Sequence, residues 1–326
     1  MSPNKKRISF ETGCAVNNNM FYAAGSIDDL NETDFESFSR MNFFQELTRE
    51  KWFFHDLPNW RVVSACLIKE NSHQPRTVVA LDENGYLEYY NRNGSVVEKI
   101  IDAGVDEKSK GHGYLSRLKI LDGTLYACGL SGQVYARVND EWIHKDQGIL
   151  QLPPKSTAEG IAEFVSGNTS LNDLGILPNG NLIAVGDSGF VAQLAGGKWN
   201  VLKMDFDENL NSIFVENSET IWICGFNGAL LKGNFSSGFK DLSSIDDNNY
   251  FQSICKFGET LYIGSSDGVF EFDGNKIRKA PGTAKFNLKQ ISYMESIDGV
   301  LWVLSNKLLV RFNEKQWEAF THPDNL

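Results

Sequence analysis

The stretch LNDLGILPNGNLIAVGDSGFVAQLAGGKW, residues 171–199, decides the fold. It holds three short apolar runs that lead into a fourth at Trp199, and turn-forming residues separate them. These turns lie at 178–180 (PNG), 186–189 (GDSG) and 196–198 (GGK). Glycine, asparagine and aspartate accept the left-handed backbone that tight hairpins need. The stretch therefore predicts four antiparallel strands in one small sheet.

The same design recurs along the whole chain. Each repeat has a nearly all-apolar second strand that ends in a turn, as expected where both faces of a strand are covered. The seven second strands are FYAAG (21–25), TVVAL (77–81), LYACG (125–129), IAVG (183–186), IWICG (221–225), LYIG (261–264) and LWVLS (301–305). A repeat of about forty residues with four strands is typical of propeller blades.

We therefore predict an all-β fold, a single seven-bladed β-propeller with four antiparallel strands per blade, as one domain over residues 1–326. The predicted blades cover approximately 6–56, 57–100, 111–146, 170–205, 209–245, 249–281 and 288–321. Stacked blades bury each other's apolar faces, and a closed ring has no end blades to cap. The leading RISF (7–10) could pair with the outer edge of the last blade or form a loose arm.

Three segments break the repeat and are predicted insertions: 26–50, 101–114 and 147–170. The first holds seven acidic residues against Arg40 and Arg49. The third offers Ser156 or Thr157 as an N-cap for about two turns of helix through Phe164. Insertions in repeat proteins fall mostly in loops, often on the binding face.

The formal net charge is −11. Binding to a nucleic-acid backbone needs clustered lysine and arginine, so we predict no nucleic-acid partner. An acidic surface would attract a basic protein. The alternative is that the negative charge only keeps the protein soluble. No run is long and apolar enough to span a membrane. The five cysteines lie in apolar runs and the N-terminus shows no signal-peptide pattern, so we expect a cytoplasmic protein with free thiols.

No pattern indicates catalysis. The five histidines are scattered, and none lies beside Cys, Asp or Glu at a metal-ligand spacing. No P-loop, G-x-S-x-G or H-E-x-x-H motif occurs. The carboxylate pairs at 28–29, 82–83 and 246–247 supply too few oxygens for calcium and are typical of turns. We predict no catalytic residue, no metal and no cofactor.

Three stretches resemble two known propeller families. TIWICGFNGALLKG (220–233) and LYIGSSDGVFEFDGNKI (261–277) resemble the two-component-regulator propeller repeat, and GDSGFVAQLAGGKW (186–199) is similar to photosystem II assembly factors. Both resemblances imply the fold only. The sialidase motif S-x-D-x-G-x-T-W and the WD-type signature do not occur, so sialidase chemistry is not implied.

In a propeller, the turns between second and third strands all point to one face. There, Leu130 and Phe226 are apolar at positions where water is expected. Exposed apolar residues with an acidic rim are typical of docking surfaces; alternatively, both side chains fold inward over the channel. With the acidic insertion, the predicted partner-binding residues are Asp28, Asp29, Asp34, Glu36, Leu130, Ser131, Asp187, Phe226, Asn227 and Asp267.

These observations favour a non-catalytic protein-binding propeller. The sharper hypothesis is an immunity or inhibitor protein that occludes a toxin, for example a basic nuclease, because electrostatic steering speeds the capture of a basic enzyme by an acidic inhibitor. The first alternative is an assembly or scaffold propeller for a housekeeping complex. The second is a lyase or hydrolase with a site over the central channel.

Overall fold

The computed structural model describes residues 6–28, 37–152, 157, 169–243 and 248–326, which form seven four-stranded sheets. The strands of blades 1 to 3 are β1 Ile8–Asn17, β2 Met20–Ile27, β3 Phe38–Gln45, β4 Trp52–Pro58; β5 Val62–Ile68, β6 Thr77–Asp82, β7 Tyr86–Asn91, β8 Gly94–Lys99; and β9 Leu115–Leu121, β10 Thr124–Gly129, β11 Val134–Val138, β12 Glu141–His144. Those of blades 4 to 7 are β13 Leu171–Ile176, β14 Leu182–Gly186, β15 Val191–Ala195, β16 Lys198–Val201; β17 Leu210–Val215, β18 Ile221–Gly225, β19 Leu230–Asn234, β20 Gly238–Asp241; β21 Phe251–Phe257, β22 Thr260–Ser265, β23 Gly268–Phe272, β24 Ile277–Lys279; and β25 Ile291–Ile297, β26 Val300–Ser305, β27 Leu308–Phe312, β28 Trp317–Thr321.

Within each blade the four strands, here called A to D, are antiparallel and lie side by side in chain order. The A strands contact one another around the ring, and β25 of blade 7 contacts β1 of blade 1. The A strands therefore surround a central channel and the D strands lie at the rim. The prediction of a seven-bladed propeller is confirmed.

The apolar core lies between the blades. Most B strands are buried along their full length, including β6, β14, β18 and β26, because neighbouring blades cover both of their faces. Two D-strand tryptophans also bridge blades: Trp199 Nε1 donates to Lys145 O at 2.6 Å, and Trp317 Nε1 donates to Pro281 O at 2.9 Å. Each apolar face is thus removed from water by the next blade.

Every A strand carries a β-bulge near its start. The residues that fall out of register are Glu11, Val63, Ser116, Asn172, Asn211, Gln252 and Ser292. Three of these side chains donate to the first residue of the next A strand: Ser116 to Leu171 O (2.6 Å), Asn172 to Leu210 O (3.0 Å) and Asn211 to Phe251 O (2.7 Å). A bulge re-aims one side chain, and here it links neighbouring blades at the channel wall.

The ring closes without exchange of a strand between blades 1 and 7. Residues 8–10 are neither a partner for the outer edge of blade 7 nor a loose arm, because they begin β1, the innermost strand of blade 1. Contacts between blades 7 and 1 close the ring instead, including a backbone bond from Phe10 N to Asn306 O at 2.7 Å. Trp302 Nε1 donates to Asn17 O at 2.9 Å, and Arg311 of β27 donates to Asn18 O at 2.6 Å.

The three predicted insertions differ in what they contain. The range 26–50 includes all of β3, so a regular strand occupies part of it. The range 101–114 connects β8 to β9, and 147–170 connects β12 to β13. The helix predicted from Ser156 or Thr157 through Phe164 falls on residues outside the described ranges, apart from Thr157 itself.

Candidate functional site

One face of the propeller collects every predicted contact residue that the structure describes. A strands start at this face and B strands end there, so the turns from B to C and the connections from D to the next A all lie on it. We call it the BC face and the opposite one the AB face. The BC face carries Asp28, Leu130, Ser131, Asp187, Phe226, Asn227 and Asp267. The predicted Asp29, Asp34 and Glu36, between β2 and β3, are outside the described residues.

Tight turns hold these residues in place. Leu130–Gly132 and Phe226–Gly228 are single 3-10 turns, and their middle residues, Ser131 and Asn227, have φ of 58° and 49°. Each turn donates a backbone bond to the next blade, from Gly132 N to Thr169 O and from Gly228 N to Asn249 O, both at 2.7 Å. Ser131 is 1% exposed, so its side chain is covered at this face.

Phe226 forms an aromatic pair with the partly buried Tyr250. The Phe226 side chain keeps 37% exposure, and its ring centroid lies 4.0 Å from that of Tyr250, which precedes the A strand of blade 6. Leu130 is only partly exposed and lies against Gly113. Further exposed apolar residues of the BC face come from the connections between blades: Ile101, Val105, Tyr114 and Leu152. Sequence reasoning did not single these out, although they lie in the predicted insertions.

Several carboxylates of the BC face are neutralised by a cation. Asp28 accepts from Lys307 and from Ser9 Oγ (2.7 Å). Burial alone would raise the pKa of Asp28, but these bonds outweigh burial and hold it below its usual value. Asp267 accepts from Lys279 (2.6 Å) and from Lys289, which lowers its pKa to about 2. A carboxylate paired in this way adds little to the long-range field.

Two carboxylates of blades 4 and 5 are bound, among the described residues, by side-chain amides and not by cations. Asp187 accepts an amide hydrogen of Asn172 at 2.8 Å, and Glu208 accepts one of Asn227 at 2.8 Å. Within the described ranges, neither they nor the exposed Asp205 and Asp207 form a salt bridge. The β14–β15 turn and the β16–β17 connection thus contain four carboxylates and one exposed lysine, Lys203.

Backbone bonds join these carboxylates to the aromatic pair. Asn209 accepts from Ser188 N through its side chain (2.9 Å) and from Phe226 N through its backbone oxygen (2.9 Å). The turns of blades 4 and 5 therefore form one continuous region. We call Asp187, Asp207, Glu208, Phe226 and Tyr250 the acidic–aromatic surface.

A histidine fixes the connection between blades 2 and 3. His144 Nδ1 lies 2.9 Å from Asp146 and Nε2 lies 3.0 Å from Asp102, which also pairs with Lys110 at 2.8 Å. Burial alone would lower the pKa of His144, but the two carboxylates outweigh burial and raise it. The imidazolium therefore ties the segment that contains Asp102 to blade 3.

This arrangement predicts a pH-dependent stability. A raised pKa in the folded state makes the charged histidine stabilising below its unfolded pKa of about 6.5, and the gain is lost as pH rises through the folded pKa. His144→Gln should cost about 1 kcal/mol near pH 6 and less near pH 8.5. Urea unfolding at both pH values measures this difference. The rings of His112 and Tyr135 also lie against the His144 ring. His73→Gln, which alters an exposed histidine, is the control. A cost that grows with pH would contradict the assignment.

The described residues contain no metal-binding cluster and no exposed thiol. They contain no group of three or more His, Cys, Asp or Glu side chains that could hold a metal ion. The five cysteines are buried and unpaired with one another, and burial raises the pKa of each thiol. Nor does any helix among these residues have the length and apolar character needed to cross a membrane.

Comparison with known proteins gives one curated relative. No family model matches the sequence. The chain is 25% identical over 263 residues, 80% of its own length and 80% of the relative's, to Immune protein Tsi7 of Pseudomonas aeruginosa. This similarity supports the prediction of an immunity protein, and the propeller fold fits protein binding.

Solved structures agree on the fold. A virginiamycin B lyase from Staphylococcus aureus superposes with a TM-score of 0.66 at 8% identity, covering 94% of both chains. YCF48 bound to D1 peptide gives 0.64 at 12% identity and also covers 94% of both chains. YCF48 from Cyanidioschyzon merolae gives 0.60 at 12% identity, covering 99% of this chain and 98% of its own. The predicted fold-level resemblance to photosystem II assembly-factor propellers is confirmed.

Proposed function

We propose that this protein is an immunity protein that binds a basic toxin domain through its BC face and occludes the toxin's active site. The acidic–aromatic surface carries the proposal, because it joins carboxylates without a cationic partner to an aromatic pair in which Phe226 is exposed. Buried aromatic side chains provide much of the binding energy at protein interfaces. Unpaired charge at the rim speeds the encounter with a partner of opposite charge.

A nuclease is the kind of toxin that fits this surface best. Enzymes that act on nucleic acids carry basic substrate-binding surfaces, because they neutralise phosphates. A basic active-site cleft is therefore attracted by the net charge of −11 and by the carboxylates of blades 4 and 5. The protein needs no catalysis for this role, so we propose that it acts by binding alone.

We further propose that it acts in the cytoplasm, where reduced thiols persist. The five buried cysteines are consistent with this setting. Cell fractionation followed by immunoblotting tests the location. Recovery with periplasmic or secreted proteins would contradict it.

The proposal predicts a salt-dependent association rate. The tagged protein first captures its partner from its own cell lysate at low and moderate salt, and mass spectrometry identifies what is retained. With the purified pair, stopped-flow association should slow by about tenfold or more between low and high salt. The triple variant Asp187→Asn, Asp207→Asn, Glu208→Gln should associate more slowly at low salt and show a weaker salt dependence.

The matched control removes the same number of charges from the other face. Glu141→Gln, Asp298→Asn and Glu314→Gln alter exposed carboxylates at the AB face, and this variant should associate nearly as fast as the wild type. Equal rates for the two triple variants would contradict the role of the acidic–aromatic surface. Capture of a housekeeping complex instead of a toxin would contradict the function itself.

A further inference from the structure

The central channel contains a cavity in the half that opens to the AB face. Its volume is about 950 Å³, and residues of β5, β9, β13, β17 and β25 line much of it. Arg117 and Lys119 lie two residues apart on β9, so both project from the same side of that strand, and both line the cavity. This region lies apart from the acidic–aromatic surface and plays no part in the proposed toxin binding.

Asp173 of β13 is the anion nearest to these two cations, and its carboxylate has many donors. It accepts from the backbone N of Leu174 (2.9 Å) and of Ile213 (3.0 Å), from Ser212 Oγ (3.3 Å) and from Lys119 Nζ (2.8 Å). Only 2% of its side chain is exposed. The buried carboxylate is therefore satisfied without the terminal nitrogens of Arg117.

Arg117 keeps unused donors. Its Nε donates to Asn172 O at 3.2 Å and lies 3.5 Å from Asp173 Oδ1. Nη1 and Nη2 donate to no acceptor in the part of the chain that the structure describes, although the side chain is only 20% exposed. Arg117 lines the cavity, and its two terminal nitrogens stay accessible to solvent. An anion that enters the cavity can therefore replace the water bound to their four hydrogens.

The surroundings add positive charge. Lys119 and Lys69 line the same cavity, together with Glu295 and Tyr293. Burial raises the pKa of Glu295, which also accepts from Ala15 N (2.8 Å) and Tyr293 Oη (2.9 Å). The lining as a whole holds four cations, Lys69, Arg117, Lys119 and Arg137, and two carboxyl groups, Asp122 and Glu295, while the buried Asp173 pairs with Lys119. Arg137 is itself paired with Glu98 and Asp140. An acidic protein thus has a cationic site in its channel.

We propose that this half of the channel binds a small anion through carboxylate or phosphate oxygens, with Arg117 as the bidentate ligand and Lys119 and Lys69 supplying charge. The planar guanidinium fork matches two oxygens of such a group. The anion enters from the AB face, because Lys69 lies at that end of β5 just beyond Ile68.

Isothermal titration calorimetry of the whole protein, with inorganic phosphate and with citrate, tests the proposal. We expect saturable binding of at least one anion with one site per chain, and the two titrations show which oxygen chemistry is preferred. Arg117→Gln should weaken binding by tenfold or more. The exposed Lys69→Gln, which changes no described hydrogen bond, should weaken it severalfold and keeps the test valid if the Arg117 variant folds poorly.

Lys198→Gln, which alters an exposed lysine on the outer strand β16, should bind like the wild type. Failure of both anions to bind the wild-type protein would overturn the proposal. Unchanged affinity in both the Arg117 and Lys69 variants would overturn it as well, since the anion would then lie elsewhere.

Discussion

Arg311→Met should lower the free energy of unfolding by about 3–5 kcal/mol. The guanidinium lies between blade 7 and blade 1, where the ring closes. Nη1 donates to Glu46 Oε2 at 2.5 Å and Nη2 donates to Glu318 Oε2 at 2.6 Å, while the side chain is only 9% exposed. Its carbon Cζ lies over the rings of Trp302 (5.4 Å) and Phe320 (5.2 Å). Removing the cation leaves two partly buried carboxylates, Glu46 and Glu318, without a cationic partner.

Urea unfolding of the wild type and the variant measures this loss. Arg92→Met is the control, because Arg92 also pairs with a glutamate, Glu70 of its own blade 2, but both of these side chains are largely exposed. Its loss should cost less than about 1 kcal/mol. Similar costs for the two variants would contradict the view that side chains between blades 7 and 1 help to close the ring.

Phe226→Ala should weaken binding to the partner by about 30-fold or more, which is about 2 kcal/mol. The ring is exposed in the free protein and packs on Tyr250, so a partner that covers it would bury both aromatic faces. The backbone N of Phe226 still donates to Asn209 O, which keeps the turn in place. The fold should therefore change little.

Surface plasmon resonance with the purified partner measures the dissociation constant. Phe54→Ala removes an exposed phenylalanine from the outer strand β4 and should leave affinity unchanged. If Phe226→Ala bound as tightly as the wild type while remaining folded, the partner would not lie over the aromatic pair.

The repeat was predictable from sequence because each blade repeats local turn chemistry and an all-apolar B strand. The A-strand bulges also leave a sequence signal that could have been found. An apolar residue that opens the strand is followed by a polar one in Leu171–Asn172, Leu210–Asn211 and Ile291–Ser292. The polar residue is the one pushed out of register. A search for strict alternation of apolar and polar residues misses this signal, because the bulge shifts the alternation by one residue.

The candidate site was predictable only in part. Topology places all B-to-C turns on one face, so the face could be named from sequence. The charge of each turn could not be predicted from sequence. Asp28, for example, is neutralised by Lys307, which is far away in the chain. Sequence alone gave Asp28, Asp187 and Asp267 the same weight. Of these three, only Asp187 has no cationic partner among the described residues.

An inhibition titration tests the central claim most directly. The purified partner is assayed for its toxic activity, for example nuclease activity on DNA, while wild-type propeller is added in increasing ratio. We expect activity to fall linearly and to vanish near one propeller per toxin, because a tight complex that covers the active site is stoichiometric. A partner that binds the propeller and keeps its full activity would contradict the account.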